Sequence, residues 1–269
     1  MSHPQAPIGV FDSGMGGLTV LAALEARLPQ ASFVYLGDTA RLPYGTKSAA
    51  TVERYALRAA ATLVERGVCA LVVACNTASA MALDALRERY PELPVFGVVE
   101  PGARAASELA DVQRVAVLAT ESTVRGGAYQ RALLSQRSNL QVRARPAPLL
   151  VSLAEEGWLS GDVPEVILRS YLQDWLSWRP DCLLLGCTHF PIFRPALQAL
   201  CGSELVIVDS AATTAAEVAT AMGERFCDGT RQPRVLLATD DPVRFARVGQ
   251  HFIGATSEPL GTVDLIELL

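Results

Sequence analysis

Lysine is almost absent from this 269-residue chain, which carries only Lys47. Pyridoxal-dependent enzymes need a lysine Schiff base on a supporting motif, and Lys47 sits beside a turn-rich loop without one, so that chemistry is disfavoured. Histidine is scarce, at positions 3, 189 and 251, and the six cysteines, at 69, 75, 182, 187, 201 and 227, form no Cys-x-x-Cys pair. No metal site is expected from such a set. No apolar run approaches the roughly 20 residues that span a bilayer, so no membrane association is expected. The start, Met1-Ser2-His3-Pro4-Gln5-Ala6-Pro7, lacks the charged and apolar succession of a secretory signal. A cytoplasmic location with reduced thiols follows as an expectation. The net charge is −5, without a run of Lys and Arg, which excludes the electrostatic footprint of a nucleic-acid binder.

Short apolar runs alternate with longer amphipathic stretches along the whole chain. Strands are expected near Ile8–Phe11, Phe33–Leu36, Leu71–Ala74, Val95–Val98, Val115–Leu118, Cys182–Leu185, Leu205–Val208 and Val235–Ala238. These runs are continuous rather than alternating, as in parallel strands covered on both faces. Between them, helices are expected over Thr19–Arg27, Ser48–Arg66, Ala78–Arg89, Val163–Trp178 and Ala211–Arg225, with Gly67 in the position of a C-terminal cap. The alternation predicts an α/β fold with mainly parallel sheets.

Two segments recur in order. Ile8-Gly-Val-Phe-Asp12-Ser13 resembles Val115-Ala-Val-Leu-Ala-Thr120, and Leu71-Val-Val-Ala-Cys75-Asn76-Thr77 resembles Leu183-Leu-Leu-Gly-Cys187-Thr188-His189. The repetition predicts two copies of one α/β unit. Ligands collect at the carboxyl ends of parallel strands, where Asp12, Asp38, Cys75, Thr120, Cys187 and Asp209 all fall. Two pseudo-symmetric domains facing each other would bring these side chains into one cleft.

A pair of related sites, each with one thiol, suits removal and return of a proton on opposite faces of one carbon, which is racemisation without a cofactor. Cys75 and Cys187 each precede a polar pair at the expected start of a helix, where the N-terminus favours a thiolate. Ionising a free thiol at neutral pH costs roughly 2 kcal/mol, an amount that a helix dipole and nearby donors can largely offset. Cys69, Cys182, Cys201 and Cys227 read as core packing. Asp12 and His189 are natural helpers for the two proton transfers, although a structural N-cap and a satisfied buried histidine are their ordinary roles. The Pro and Gly in Gly37-Asp38-Thr39-Ala40-Arg41-Leu42-Pro43-Tyr44-Gly45-Thr46 suit either a turn that holds a carboxylate or a plain surface loop.

Four segments together resemble the signatures of the glutamate racemase family, a branch of the aspartate/glutamate racemases: Ile8–Val20, Gly37–Gly45, Ala74–Ser79 and Gly186–Pro191. The resemblance implies a cofactor-independent isomerase that interconverts L- and D-glutamate and supplies D-glutamate for peptidoglycan. It implies a first domain of residues 1–97 plus 209–269 and a second of 98–208, with glutamate as the small-molecule partner and room for a homodimer. By motif, Cys75 would take the α-proton of D-glutamate, assisted by Asp12, and Cys187 that of L-glutamate, assisted by His189 with Glu155. Ser13, Pro43, Tyr44, Gly45, Asn76, Thr77, Thr123 and Thr188 would contact substrate, and Asp38 and Thr120 belong to the same matched segments.

Gly126, Ser152 and Ala147 stand where the family often carries Ser, Pro and Cys, which leaves both Glu155 and Glu156 open as the carboxylate. Without an N-terminal extension, activation by a peptidoglycan precursor is not expected. The alternatives are an aspartate racemase of the same superfamily, disfavoured by His189 and Pro43-Tyr44-Gly45, a hydrolase or transferase built on Cys187 and His189, and an amino-acid-binding protein.

Overall fold

The structure, a computed structural model, describes residues 6–226, 233–254 and 260–268. His3 and Cys227 lie outside the described residues. The chain opens with β1 (Ile8–Asp12), α1 (Leu18–Arg27), β2 (Phe33–Gly37), α2 (Ala49–Val64), β3 (Ala70–Val73), α3 (Asn76–Arg89), β4 (Val95–Gly97) and α4 (Val99–Ser107). It continues with β5 (Arg114–Ala119), α5 (Glu121–Arg125), α6 (Ala128–Gln136), β6 (Gln141–Pro146), α7 (Pro148–Glu155), α8 (Asp162–Trp178), β7 (Cys182–Gly186), α9 (Arg194–Cys201) and β8 (Val206–Asp209). The last elements are α10 (Ser210–Met222), β9 (Val235–Ala238), α11 (Pro242–Gly249) and β10 (Val263–Leu265).

All strand pairings are parallel, in one sheet of order β10-β9-β2-β1-β3-β4 and another of order β6-β5-β7-β8. The order β2-β1-β3-β4 is repeated as β6-β5-β7-β8, so the two resembling sequence segments occupy equivalent places: β1 matches β5 and β3 matches β7. The C-terminal strands β9 and β10 extend the first sheet, returning the end of the chain to its beginning.

The continuous apolar runs are the strands buried along their whole length, β1, β2, β3 and β7. Two strands escape that signal. β6 is an edge strand of sequence Gln-Val-Arg-Ala-Arg-Pro with exposed and half-buried positions, and β10 is a short, mostly exposed edge. Edge strands bury little, and charged side chains there discourage pairing with other chains. Helix ends follow local chemistry: Ser48 caps α2 by accepting a hydrogen bond from the Thr51 N–H, and beyond that helix Gly67 adopts a left-handed φ of 71°.

One apolar core runs through both sheets, joining Val10, Val72 and Ala74 to Leu118, Leu183 and Leu185 through α10 residues Ala211, Ala215 and Val218. Separate layers cover the outer faces, with α2 and α3 on the first sheet and α4 and α6 on the second. The shared core holds the carboxyl ends of the two sheets in a common region.

Candidate active site

Cys75 follows β3 and is the N-cap of α3, its sulfur accepting from the Ala78 N–H at 3.5 Å. The thiol donates to Ser13 Oγ at 3.5 Å. Burial, reinforced by the charge of Asp12, pushes this thiol up from an ordinary 9.0 to about 12. That shift corresponds to about 4 kcal/mol against the thiolate. The Ala78 N–H at the helix N-terminus and Ser13 do act to ease ionisation, but desolvation is larger. Burial thus favours the neutral thiol at Cys75.

Asp12, at the end of β1, is completely buried. Its Oδ2 accepts from the Gly14 N–H at 3.0 Å, while Oδ1 has no hydrogen-bond partner among the described residues. Burial raises its pKa, opposed by the positive charge of His189 and by the N–H groups of Gly17, Gly14 and Ser13. The glycines after Asp12 serve close approach between the two repeats: a Cβ on Gly16 would lie 2.5 Å from His189 Cε1 and 2.6 Å from Thr188 Oγ1.

Cys187 follows β7, but it does not cap an α-helix. Phe190–Phe193 form a tight 3₁₀ turn in which the Phe190 N–H donates to the Cys187 carbonyl, and α9 begins only at Arg194. Pro191 and Pro195 remove the N–H groups a longer helix would need. The helix start expected directly after Cys187 is thus corrected. In its place the sulfur lies 3.8 Å from His189 Nδ1, and His189 Nε2 lies 3.2 Å from Glu155 Oε1. Burial alone would lower the imidazole, but contacts with Cys187 and Glu155 and the charges of Cys187 and Asp12 outweigh it and raise His189 to about 10. Burial likewise would raise Glu155, yet His189 and Arg244 hold its carboxyl below the ordinary range.

Glu155, with a side chain 11% exposed, rather than Glu156, at 69%, is the carboxylate on His189. Arg244 of α11 reaches both, 3.7 Å from Glu155 Oε2 and 3.6 Å from Glu156 Oε1. Phe252 stands edge-on to the His189 ring at a centroid distance of 5.1 Å.

Hydroxyl groups join the repeats. Thr77 Oγ1 lies 2.9 Å from Thr120 Oγ1 and 3.4 Å from Thr123 Oγ1, and Thr120 and Thr123 are 2.9 Å apart. Thr19 Oγ1 donates to the Thr188 carbonyl at 3.2 Å. The loop carrying Pro43, Tyr44 and Gly45 is fastened across the seam, since Ser122 Oγ donates to the Gly45 carbonyl at 2.8 Å. Tyr44 is buried, and its hydroxyl donates to Asp38 Oδ2 at 2.6 Å. Asp38 Oδ1 accepts from Arg41 and Thr239, each at 2.9 Å, so both carboxylate oxygens brace this loop. Asp209 is engaged elsewhere: it caps α10 through the N–H groups of Ala211 and Ala212 and pairs with Arg194.

Sequence reading missed Arg244, Phe252, Tyr129 and Ser210. Tyr129 and Ser210 both accept from Asn76 Nδ2. None stands in a matched motif, and each comes close only through the tertiary fold. Among the described residues, no group of three or more His, Cys, Asp or Glu gathers as metal ligands, and no helix is long and apolar enough to cross a membrane.

The family model described as Asp/Glu/Hydantoin racemase matches residues 18–218. A glutamate racemase of Geobacter metallireducens is 45% identical over 268 residues, covering 98% of each chain. The crystal structure of glutamate racemase from Francisella tularensis in complex with D-glutamate superposes with a TM-score of 0.90 at 32% identity, covering 98% of each chain. That of the Thermus thermophilus glutamate racemase in complex with β-chloro-D-alanine gives 0.86 at 41% identity, covering 99% of each. The chain belongs to the Asp/Glu/Hydantoin racemase family.

Proposed function

We propose that this protein is a cytoplasmic, cofactor-independent glutamate racemase that interconverts L- and D-glutamate and supplies D-glutamate for peptidoglycan. One observation carries the reading. Cys75 and Cys187 follow the equivalent strands β3 and β7 of the two repeats, and both are buried where the repeats meet, with Gly16 of the Asp12 loop packed against Thr188 and His189 beside Cys187. Residues 1–97 with 209–269, and residues 98–208, are taken as the two domains that enclose the substrate.

In the L-to-D direction, Cys187 as thiolate takes the α-proton: the C–H bond breaks, an S–H bond forms, and the electron pair stays on carbon. The protonated Cys75 then gives its proton to the opposite face, forming the new C–H bond and leaving a thiolate. The D-to-L direction reverses these roles. His189, held by Glu155, moves a proton to or from Cys187, and Asp12 does the same for Cys75. Ser13, Asn76, Thr77, Thr120, Thr123 and Thr188, with the Pro43-Tyr44-Gly45 loop, offer neutral polar groups to the substrate and its developing carbanion. Asp38 acts through that loop by holding Tyr44 and Arg41. Identity of 45% to a glutamate racemase over nearly the full length supports glutamate over aspartate.

The test is circular dichroism of L-glutamate, and separately of L-aspartate, incubated with purified protein without added cofactor in deuterium oxide. Loss of optical activity for glutamate, with deuterium at the α-carbon, is expected. An optically unchanged glutamate solution without deuterium incorporation would overturn the reading.

A further inference from the structure

Tyr35, in the middle of β2, carries a buried hydroxyl that reaches the turn after Asp12. It donates to the Gly14 carbonyl at 3.0 Å, across 21 positions of sequence, and Gly14 is buried as well. Burial and the charges of Asp12 and Cys75 push the phenol well above its ordinary 10.0, so the hydrogen stays on the oxygen and the group remains a donor. The ring is held in turn by Phe245 of α11, at a centroid distance of 5.9 Å and tilted by 54°.

The same turn is fitted tightly to β2. A Cβ on Gly37 would overlap the Gly14 oxygen and lie 2.6 Å from Phe245 Cε2, and one on Gly17 would lie 2.5 Å from Asp12 Cβ and 2.9 Å from the Tyr35 oxygen. Glycine at both positions is what lets the turn close on the hydroxyl. That turn carries two groups of the Cys75 relay: the Gly14 N–H holds Asp12 Oδ2 at 3.0 Å, and Ser13 Oγ accepts from the Cys75 thiol at 3.5 Å. One phenol hydrogen thus fixes the residue whose N–H holds Asp12 and whose neighbour meets the thiol.

We propose that Tyr35 is a positioning residue for the Cys75 side of the reaction: its hydrogen bond to the Gly14 carbonyl sets the turn that carries the Asp12 carboxyl and the Ser13 hydroxyl serving that thiol. The inference rests on the racemase reading given above and deepens it. The Cys187 side has a different support, His189 held by Glu155, so loss of the Tyr35 hydroxyl acts on the two thiols unequally.

Tyr35→Phe keeps the ring and removes the bond. The buried Gly14 carbonyl then lacks its donor and the turn shifts, so kcat/KM should fall about tenfold, the scale of one lost hydrogen bond. Because the enantiomers interconvert with an equilibrium constant of one, that fall is equal in both directions and does not tell the thiols apart. Primary isotope effects on kcat/KM, measured with each enantiomer deuterated at the α-carbon, do. With the Cys75 step slowed, breaking the C–H bond of D-glutamate limits the D-to-L direction, and its isotope effect should rise. In the L-to-D direction the Cys187 step comes to equilibrium, and the effect should shrink toward unity. General loosening of the fold would move both effects alike. Gly37→Ala, whose methyl group presses on the same carbonyl, should give the same split, and it decides if Tyr35→Phe does not fold; failure of both to fold would make the contact structural and overturn the positioning role. Unchanged kcat/KM, or isotope effects that do not separate in this sense, overturn the inference while wild-type turnover leaves the racemase reading standing. A wild type that does not racemise glutamate overturns both.

Discussion

Glu155 Oε1 lies 3.2 Å from Nε2 of His189, and the opposite ring nitrogen lies 3.8 Å from Cys187. The carboxylate thus fixes the ring and supports a positive imidazole beside the sulfur. Glu155→Gln keeps the shape but removes the charge, and kcat should fall by about 10²-fold, the lower range for acid–base assistance. Glu156→Gln, at an exposed side chain, should leave kcat within about twofold. Steady-state assays of the two variants check the pair, and equal losses would contradict the assignment.

Arg244 joins α11 to that relay. It helps to hold Glu155 below the ordinary carboxylate range, so Arg244→Ala should raise the Glu155 pKa and move the acidic limb of the kcat/KM profile to higher pH. Arg244→Lys should move it less, since the charge is kept and the planar fork is lost. Profiles recorded from pH 4 to 9 supply the comparison.

The two thiols should differ in exchange rather than in direction. Enantiomers have an equilibrium constant of one in achiral solvent, so kcat/KM must be equal in both directions for any variant. Cys75→Ser and Cys187→Ser should each lose racemisation by about 10³-fold or more. Cys75→Ser should still exchange the α-proton of L-glutamate through Cys187, and Cys187→Ser that of D-glutamate through Cys75. Proton NMR in deuterium oxide reads both, and exchange with the opposite preference would reverse the assignment of faces.

His189 also links stability to pH. Its folded pKa, about 10, lies above the ordinary 6.5, so the folded state binds the proton more tightly than the unfolded chain. The contribution is fully present below about pH 6.5 and is lost as pH rises toward 10. The melting temperature of wild type should exceed that of His189→Gln by most near pH 6, with the gap narrowing as pH rises. A gap that widens with pH would contradict the sign.

Gly16→Ala probes the seam between the repeats. The new methyl group would meet His189 Cε1 at 2.5 Å and Thr188 Oγ1 at 2.6 Å, too close for any real contact. Overpacking of this kind costs about 1–3 kcal/mol. The variant should melt earlier and lose activity more than stability, because the ring that moves belongs to the Cys187 relay. Melting and kcat measured on the same preparation test this.

Local pattern made much of the architecture legible. Runs such as Leu71–Ala74 and Cys182–Leu185 are apolar without alternation because both faces of a central parallel strand are covered, and that requirement is written into consecutive residues. β6 was illegible for the converse reason, since an edge strand with Arg143 and Arg145 buries too little to impose a pattern. Repetition of the strand-end segments identified Cys75 and Cys187 as equivalents. It could not distinguish Glu155 from Glu156, adjacent residues of one chemistry whose facing depends on how α7 lies against His189.

By itself the sequence determined the α/β class, the duplicated unit and the chemical types at the strand ends, because these depend on hydrophobic runs, turns and side-chain identity along the chain. Only the tertiary structure decided the burial that raises the Cys75 thiol, the histidine in place of a helix N-terminus at Cys187 and the ion pair of Arg244 with Glu155. Those properties depend on dielectric environment and on partners drawn from distant segments, and neither exists until the chain has closed around them.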